Sequence, residues 1–92
     1  MEYKDPPTRR YSKGQTIFSE GDESREAFIL RSGSVEVSIG KGLDRKVLDI
    51  ITANQMFGEM GLIGNTARTA TVKCLEDTVV TVVEREMIEV KI

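Results

Sequence analysis

The sequence predicts a mainly β domain, a barrel or a sandwich, on three observations. Short segments rich in Val, Ile, Thr and Phe recur between glycine-containing turns from residue 11 to residue 84. One of them, Ser34-Val35-Glu36-Val37-Ser38-Ile39, alternates polar and apolar residues strictly, which is the two-residue period of a half-buried strand. Helical periodicity is missing until the last eight residues. With 92 residues, 39% apolar and 30% charged, the chain has material for one small core and not for two.

Taken in order, residues 1–10 hold both prolines, are rich in charge and offer little to bury, so they read as a weakly ordered lead-in, with the domain running from 11 to 92. Gln15 to Ser19 is the first strand, closed by Glu20-Gly21-Asp22, where glycine takes the positive φ that other residues resist. Glu26 to Arg31 is the second, and Ser32-Gly33 turns the chain into the alternating strand, with Val35, Val37 and Ile39 expected on one face. Gly40 to Arg45 is a polar hairpin loop leading to Lys46–Ile51, which is rich enough in Val, Leu and Ile to pair back. Thr69 to Cys74 and Thr78 to Glu84 flank the turn Leu75-Glu76-Asp77, and Arg85 to Val90 opens a helix. Cys74 alternates with Ala70 and Val72 and reads as a buried apolar residue; Met56, Met60 and Met87 read as packing.

Composition excludes several functions. There is no histidine, which removes Ser-His-Asp and Cys-His nucleophiles, His-ligated zinc and an imidazole base. A single cysteine rules out an intrachain disulfide or a CxxC pair and fits a reducing, cytoplasmic setting. The net charge of -2, with both signs interspersed, argues against nucleic-acid binding. No apolar run serves as a signal peptide or approaches a membrane span. The Glu20, Asp22, Glu23 group lacks the ligand spacing of a calcium loop, so no metal is expected.

Residues 57–72 do not read as an ordinary hairpin loop. Gly58, Gly61 and Gly64 bracket the acid Glu59 and precede the base Arg68. The glycines permit close backbone approach to a ligand, and Met60 to Ile63 has the length of one helical turn whose free N–H groups suit an anion. Arg68 supplies a planar fork matching two phosphate oxygens, and Glu59 accepts hydrogen bonds from sugar hydroxyls. Together they describe a pocket for a sugar phosphate. Phe57 is the anchor of this segment in the core.

This segment resembles the phosphate-binding cassette of cyclic-nucleotide-binding domains, those of kinase A regulatory subunits, cyclic-nucleotide-gated channels and catabolite activator proteins. The resemblance extends to Ile17-Phe18-Ser19-Glu20-Gly21-Asp22, to Ala27 through Val37, and to Val79 through Glu84, about residues 11–88 in all. It implies an eight-stranded, jelly-roll-like barrel, the double-stranded β-helix, with a short phosphate-binding helical turn near Met60–Ile63. It further implies that Glu59 holds the ribose 2′-hydroxyl, that Arg68 pairs with an exocyclic phosphate oxygen, and that backbone N–H groups of Gly58, Gly61, Leu62 and Thr69 complete the cradle. The resemblance also implies that Thr69 after the arginine permits cGMP without selecting it, and that Val37 and Ile51 are the candidates to pack against the base.

The family's helices before the barrel, and the lid helix after it, have no counterpart here: about ten residues precede the barrel and eight follow it. The expectation is a barrel truncated at the start of the C-terminal helix, with a second copy or a protein effector supplying any cover for the base. Two functions follow: a non-catalytic module binding cAMP or cGMP, or a ligand-free barrel that docks a protein partner. An enzyme is not expected, because no nucleophile stands beside an activating base.

Overall fold

Alternation along the strands decides which side chains the two sheets of this protein turn toward each other. The computed structural model describes residues 6–23, 25–59 and 67–84. Among these residues the strands are β1 (Thr8–Tyr11), β2 (Thr16–Phe18), β3 (Glu26–Ser32), β4 (Val35–Ile39), β5 (Lys46–Ile51), β6 (Met56–Phe57), β7 (Thr71–Cys74) and β8 (Thr78–Glu84), with a 3-10 turn at Gly42–Asp44. They form two four-stranded sheets ordered β1-β8-β3-β6 and β2-β7-β4-β5. Each of the pairings is antiparallel. This is the expected eight-stranded jelly roll.

The core lies between the sheets. In the first sheet the register Phe28↔Val82 and Leu30↔Val80 puts four buried apolar side chains on one face. In the second, Val35↔Cys74 places another buried pair, with Val72 and Ile51 beside it. All belong to one apolar cluster. Cys74 is a core thiol, as its alternation with Val72 implied, and burial pushes its pKa up.

Three elements differ from the sequence reading. Thr8, Arg9 and Arg10, read as lead-in, are the first residues of β1 and pair with Thr81, Val80 and Val79 of β8. Their side chains are exposed, so no apolar period marks them; backbone pairing alone makes the strand. The two-residue β6 is too short to show a period and exists by pairing with Phe28 and Ile29. In β4 the alternation is interrupted: a register shift between Val37 and Ser38 leaves Leu48 of β5 unmatched, so Ser38 is 3% exposed while Ile39 is only half-buried. The helical turn at Met60–Ile63 and the helix from Arg85 lie outside the described residues.

The β3–β4 turn needs its glycine. Gly33 sits at φ +94°, and a Cβ there would stand 2.5 Å from both the Asp77 carbonyl oxygen and Thr78 Oγ1. Gly21 has a similar φ of +92°, with nothing within 4 Å of a Cβ. We expect Gly21→Ala to cost about 1–2 kcal/mol for backbone strain alone. Gly33→Ala should cost about 2–4 kcal/mol, because strain and overlap add. Urea unfolding of both variants checks the order; equal midpoints would contradict it.

Candidate ligand-binding site

The site begins where the chain leaves the core after β6. The turn before β6 is fixed on β3: the Asn54 N–H donates to the Leu30 carbonyl (2.7 Å) and the Gln55 carbonyl accepts from the Leu30 N–H (2.9 Å). Asn54 takes φ +71° to make this turn. Phe57 is then buried against Phe28, with ring centroids 5.2 Å apart, and Phe18 of β2 completes an aromatic trio at 6.1 and 6.3 Å. Phe57 is therefore the core anchor it was expected to be.

Gly58 follows at φ +74°, and the close approach it permits is to Arg68. A Cβ there would lie 2.9 Å from Arg68 Nη1 and 3.2 Å from the Phe18 ring. With glycine in place, Nη1 of Arg68 donates to the Gly58 carbonyl at 2.7 Å. Nη2 donates to the Glu26 carbonyl, and the guanidinium carbon stands 4.0 Å over the Phe18 ring centroid.

The backbone of Arg68 is held as firmly as its side chain. Its N–H donates to the Asp22 carbonyl and its carbonyl accepts from the Gly21 N–H, both at 2.8 Å, and Glu23 and Ala67 form a β-bridge alongside. The turn before β3 thus clamps the residue that precedes β7. Burial draws the guanidinium pKa below the ordinary arginine value, while the carboxylates of Glu26, Asp22 and Glu59 act in the opposite direction.

Around these groups lies a cavity of about 470 Å³. Its lining brings together Val37, Ile51, Gly58, Glu59, Arg68 and Thr69, all the sequence-expected site residues that fall among those described. Gly61 and Leu62 lie outside them. Glu59 and Thr69 are exposed at the cavity, Val37 is half-buried and Ile51 nearly closed off. The lining also includes Phe18, Met56 and Asp49, which the sequence reading did not assign to the site. Asp49 had a signal available: it is two residues before Ile51 on one strand and so shares its face. Among the described residues no group of three His, Cys, Asp or Glu is placed to hold a metal, and no helix is long and apolar enough to cross a membrane.

A buried cation, an exposed carboxylate and an apolar wall around one cavity can recognise an anionic sugar with a flat apolar group. Comparison with known proteins gives the arrangement its family: the cyclic nucleotide-binding domain profile matches residues 8–91. The chain belongs to that family. It is 38% identical over 78 residues to the cGMP-dependent protein kinase of Eimeria tenella, covering 84% of this chain and 7% of the kinase. It is 36% identical over 64 residues to the cAMP-dependent protein kinase regulatory subunit of Mycosarcoma maydis, covering 70% of this chain and 12% of the subunit. The EAL enzyme Bd1971 aligns in its cAMP-bound form with TM-score 0.83 and 35% identity, over 89% of this chain and 22% of that one. Its cGMP-bound form gives 0.82 and 36%, over 88% and 22%. This cyclic nucleotide-binding domain therefore spans a small part of the length of these relatives.

The geometry corrects one expectation. The resemblance assigns the Arg68 side chain to a phosphate oxygen, and a side chain given over to a ligand carries no weight in the unliganded fold. In the structure it lines the cavity and is also 6% exposed, anchored by two carbonyls and an aromatic face. Arg68→Ala should therefore destabilise the unliganded domain by about 2–4 kcal/mol, since two buried carbonyls lose charged donors. Arg68→Lys should recover part of this. Urea unfolding without ligand is the check, and a wild-type midpoint for the alanine variant would contradict the anchoring role.

Proposed function

We propose that this domain is a regulatory, non-catalytic module that binds a cyclic purine nucleotide, cAMP or cGMP. The observation that carries the reading is the buried Arg68 guanidinium lining the same cavity as Glu59, Val37 and Ile51. The cyclic phosphate keeps one negative charge and meets a group that is always protonated and offers parallel donors. A guanidinium has five N–H donors, so anchoring to two carbonyls and holding a phosphate are compatible. Backbone N–H groups of Gly58 and Thr69, with those of Gly61 and Leu62, complete the phosphate cradle in this reading. Glu59 accepts from the ribose 2′-hydroxyl, and the base rests on Val37 and Ile51.

The cavity volume sits within the range of about 300–1,000 Å³ usual for small-molecule sites. Membership of the family, and relatives named for cAMP and cGMP, favour the same ligand class. The lone buried cysteine fits a cytoplasmic setting. A second reading, a barrel that docks a protein partner and binds no nucleotide, is favoured by exposed Val47, Leu48 and Ile50 on the edge strand β5.

Ligand stabilisation separates the two. A binder gains RT ln(1 + [L]/Kd), about 2.7 kcal/mol at a hundredfold excess over Kd, so unfolding with cAMP or cGMP added should shift upward. The expected result is a shift with a cyclic nucleotide that Glu59→Ala makes insensitive to removal of the 2′-hydroxyl. No shift with either nucleotide at millimolar concentration would favour the docking module. In calorimetry Arg68→Lys should lose about ten- to a hundredfold in affinity, as a charge-assisted bidentate contact becomes a point charge.

A further inference from the structure

Glu26 meets two arginines with two different groups. Its backbone carbonyl accepts from Nη2 of Arg68, inside the site. Its carboxylate is taken by Arg9 of β1 in a two-pronged ion pair, with Nη1 3.3 Å from Oε1 and Nη2 3.2 Å from Oε2. The Tyr11 hydroxyl steadies the fork by accepting from Nη1 of Arg9 at 3.2 Å. Both side chains are partly exposed, so the pair adds little to the stability of the fold. Its consequence is for Arg68. Burial draws that guanidinium's pKa down, and of the three carboxylates that act against burial Glu26 is the strongest, ahead of Asp22 and Glu59. The Glu26 carboxylate is tethered within its own side chain's length of the carbonyl that already bonds Arg68, which sets a high effective concentration beside the guanidinium. Released from Arg9, it competes for the donors that a phosphate needs.

Resting on the function proposed above, we infer that Arg9 is a positioning residue: by occupying both oxygens of Glu26 it keeps that carboxylate from closing on Arg68 and leaves the guanidinium to the cyclic phosphate. An ionised carboxylate is acceptor-only and a guanidinium donor-only, so carboxylate and phosphate are rivals for one cation. Molecules in which Glu26 has closed on Arg68 do not take up the anion, and the apparent affinity falls by the fraction that remains open. Arg9 does not itself line the cavity, so β1 acts on the site only through Glu26.

The test is calorimetric titration of wild type, Arg9→Gln, Glu26→Gln and the double variant with cAMP and cGMP. Arg9→Gln should bind about three- to fivefold more weakly, the scale of a partly exposed ion pair formed in competition with the ligand. Glu26→Gln removes the rival charge together with the pair and should bind at least as tightly as wild type, and the double variant should return to the wild-type value. A pair that merely braced the fold would be lost in all of these variants and would weaken each of them, so rescue by the second substitution separates the two roles. Wild-type affinity in Arg9→Gln, or a weakening that Glu26→Gln does not relieve, overturns the role of Arg9 and leaves the nucleotide site standing. A wild type that binds neither nucleotide overturns both.

Discussion

The guanidinium of Arg68 is the group on which the site and its surroundings depend. A cation that is 6% exposed has lost most of its hydration and needs compensation from the protein. It receives this from the carbonyls of Gly58 and Glu26 and from the face of Phe18, three points on separate stretches of chain. The end of β2, the start of β3 and the exit of β6 therefore converge on one side chain. Gly58 is the steric condition for that convergence, because any Cβ there would meet the guanidinium and the ring together.

In the proposed function this arrangement links stability to recognition. The cation is set in place before a ligand arrives, so an anion entering the cavity meets a fixed charge and the rotamer entropy of a long side chain is already spent. The backbone of Arg68, clamped by Gly21 and Asp22, limits how far the fork can move, and the aromatic trio beneath it is continuous with the core. Changes in packing around Phe18 or Phe57 thus reach the site without touching any exposed residue. Glu59, Thr69 and Asp49, by contrast, are exposed where they line the cavity.

Much of this was legible in the sequence. The strands containing Ile17, Phe28, Val35, Leu48, Val72 and Val80 follow from apolar content and turn residues, and two of them, Lys46–Ile51 and Thr78–Glu84, have the expected ends. β1 was hidden because Thr8, Arg9 and Arg10 turn no apolar side chain to the core and owe their conformation to β8. β6 was hidden by its length. The cassette's Glu59 and Arg68 stood out by residue type and spacing, but the anchoring of Arg68 did not. Its partner carbonyl on Glu26 is 42 residues away, and backbone acceptors leave no trace in side-chain identity. Ser38 in the core is the same kind of miss, since a register shift against β5 is a property of the pair and not of either strand.

The dual role of Arg68 is tested most directly by its own side-chain N–H signals in nitrogen-edited proton NMR, followed without ligand and through a cAMP titration. Carbonyl anchoring in the unliganded protein predicts Arg68 signals that are resolved and slow to exchange with water, unlike those of exposed arginines, and that move as the site fills. Signals that exchange as fast as those of exposed arginines before ligand is added, or that stay fixed while the nucleotide binds, would contradict it.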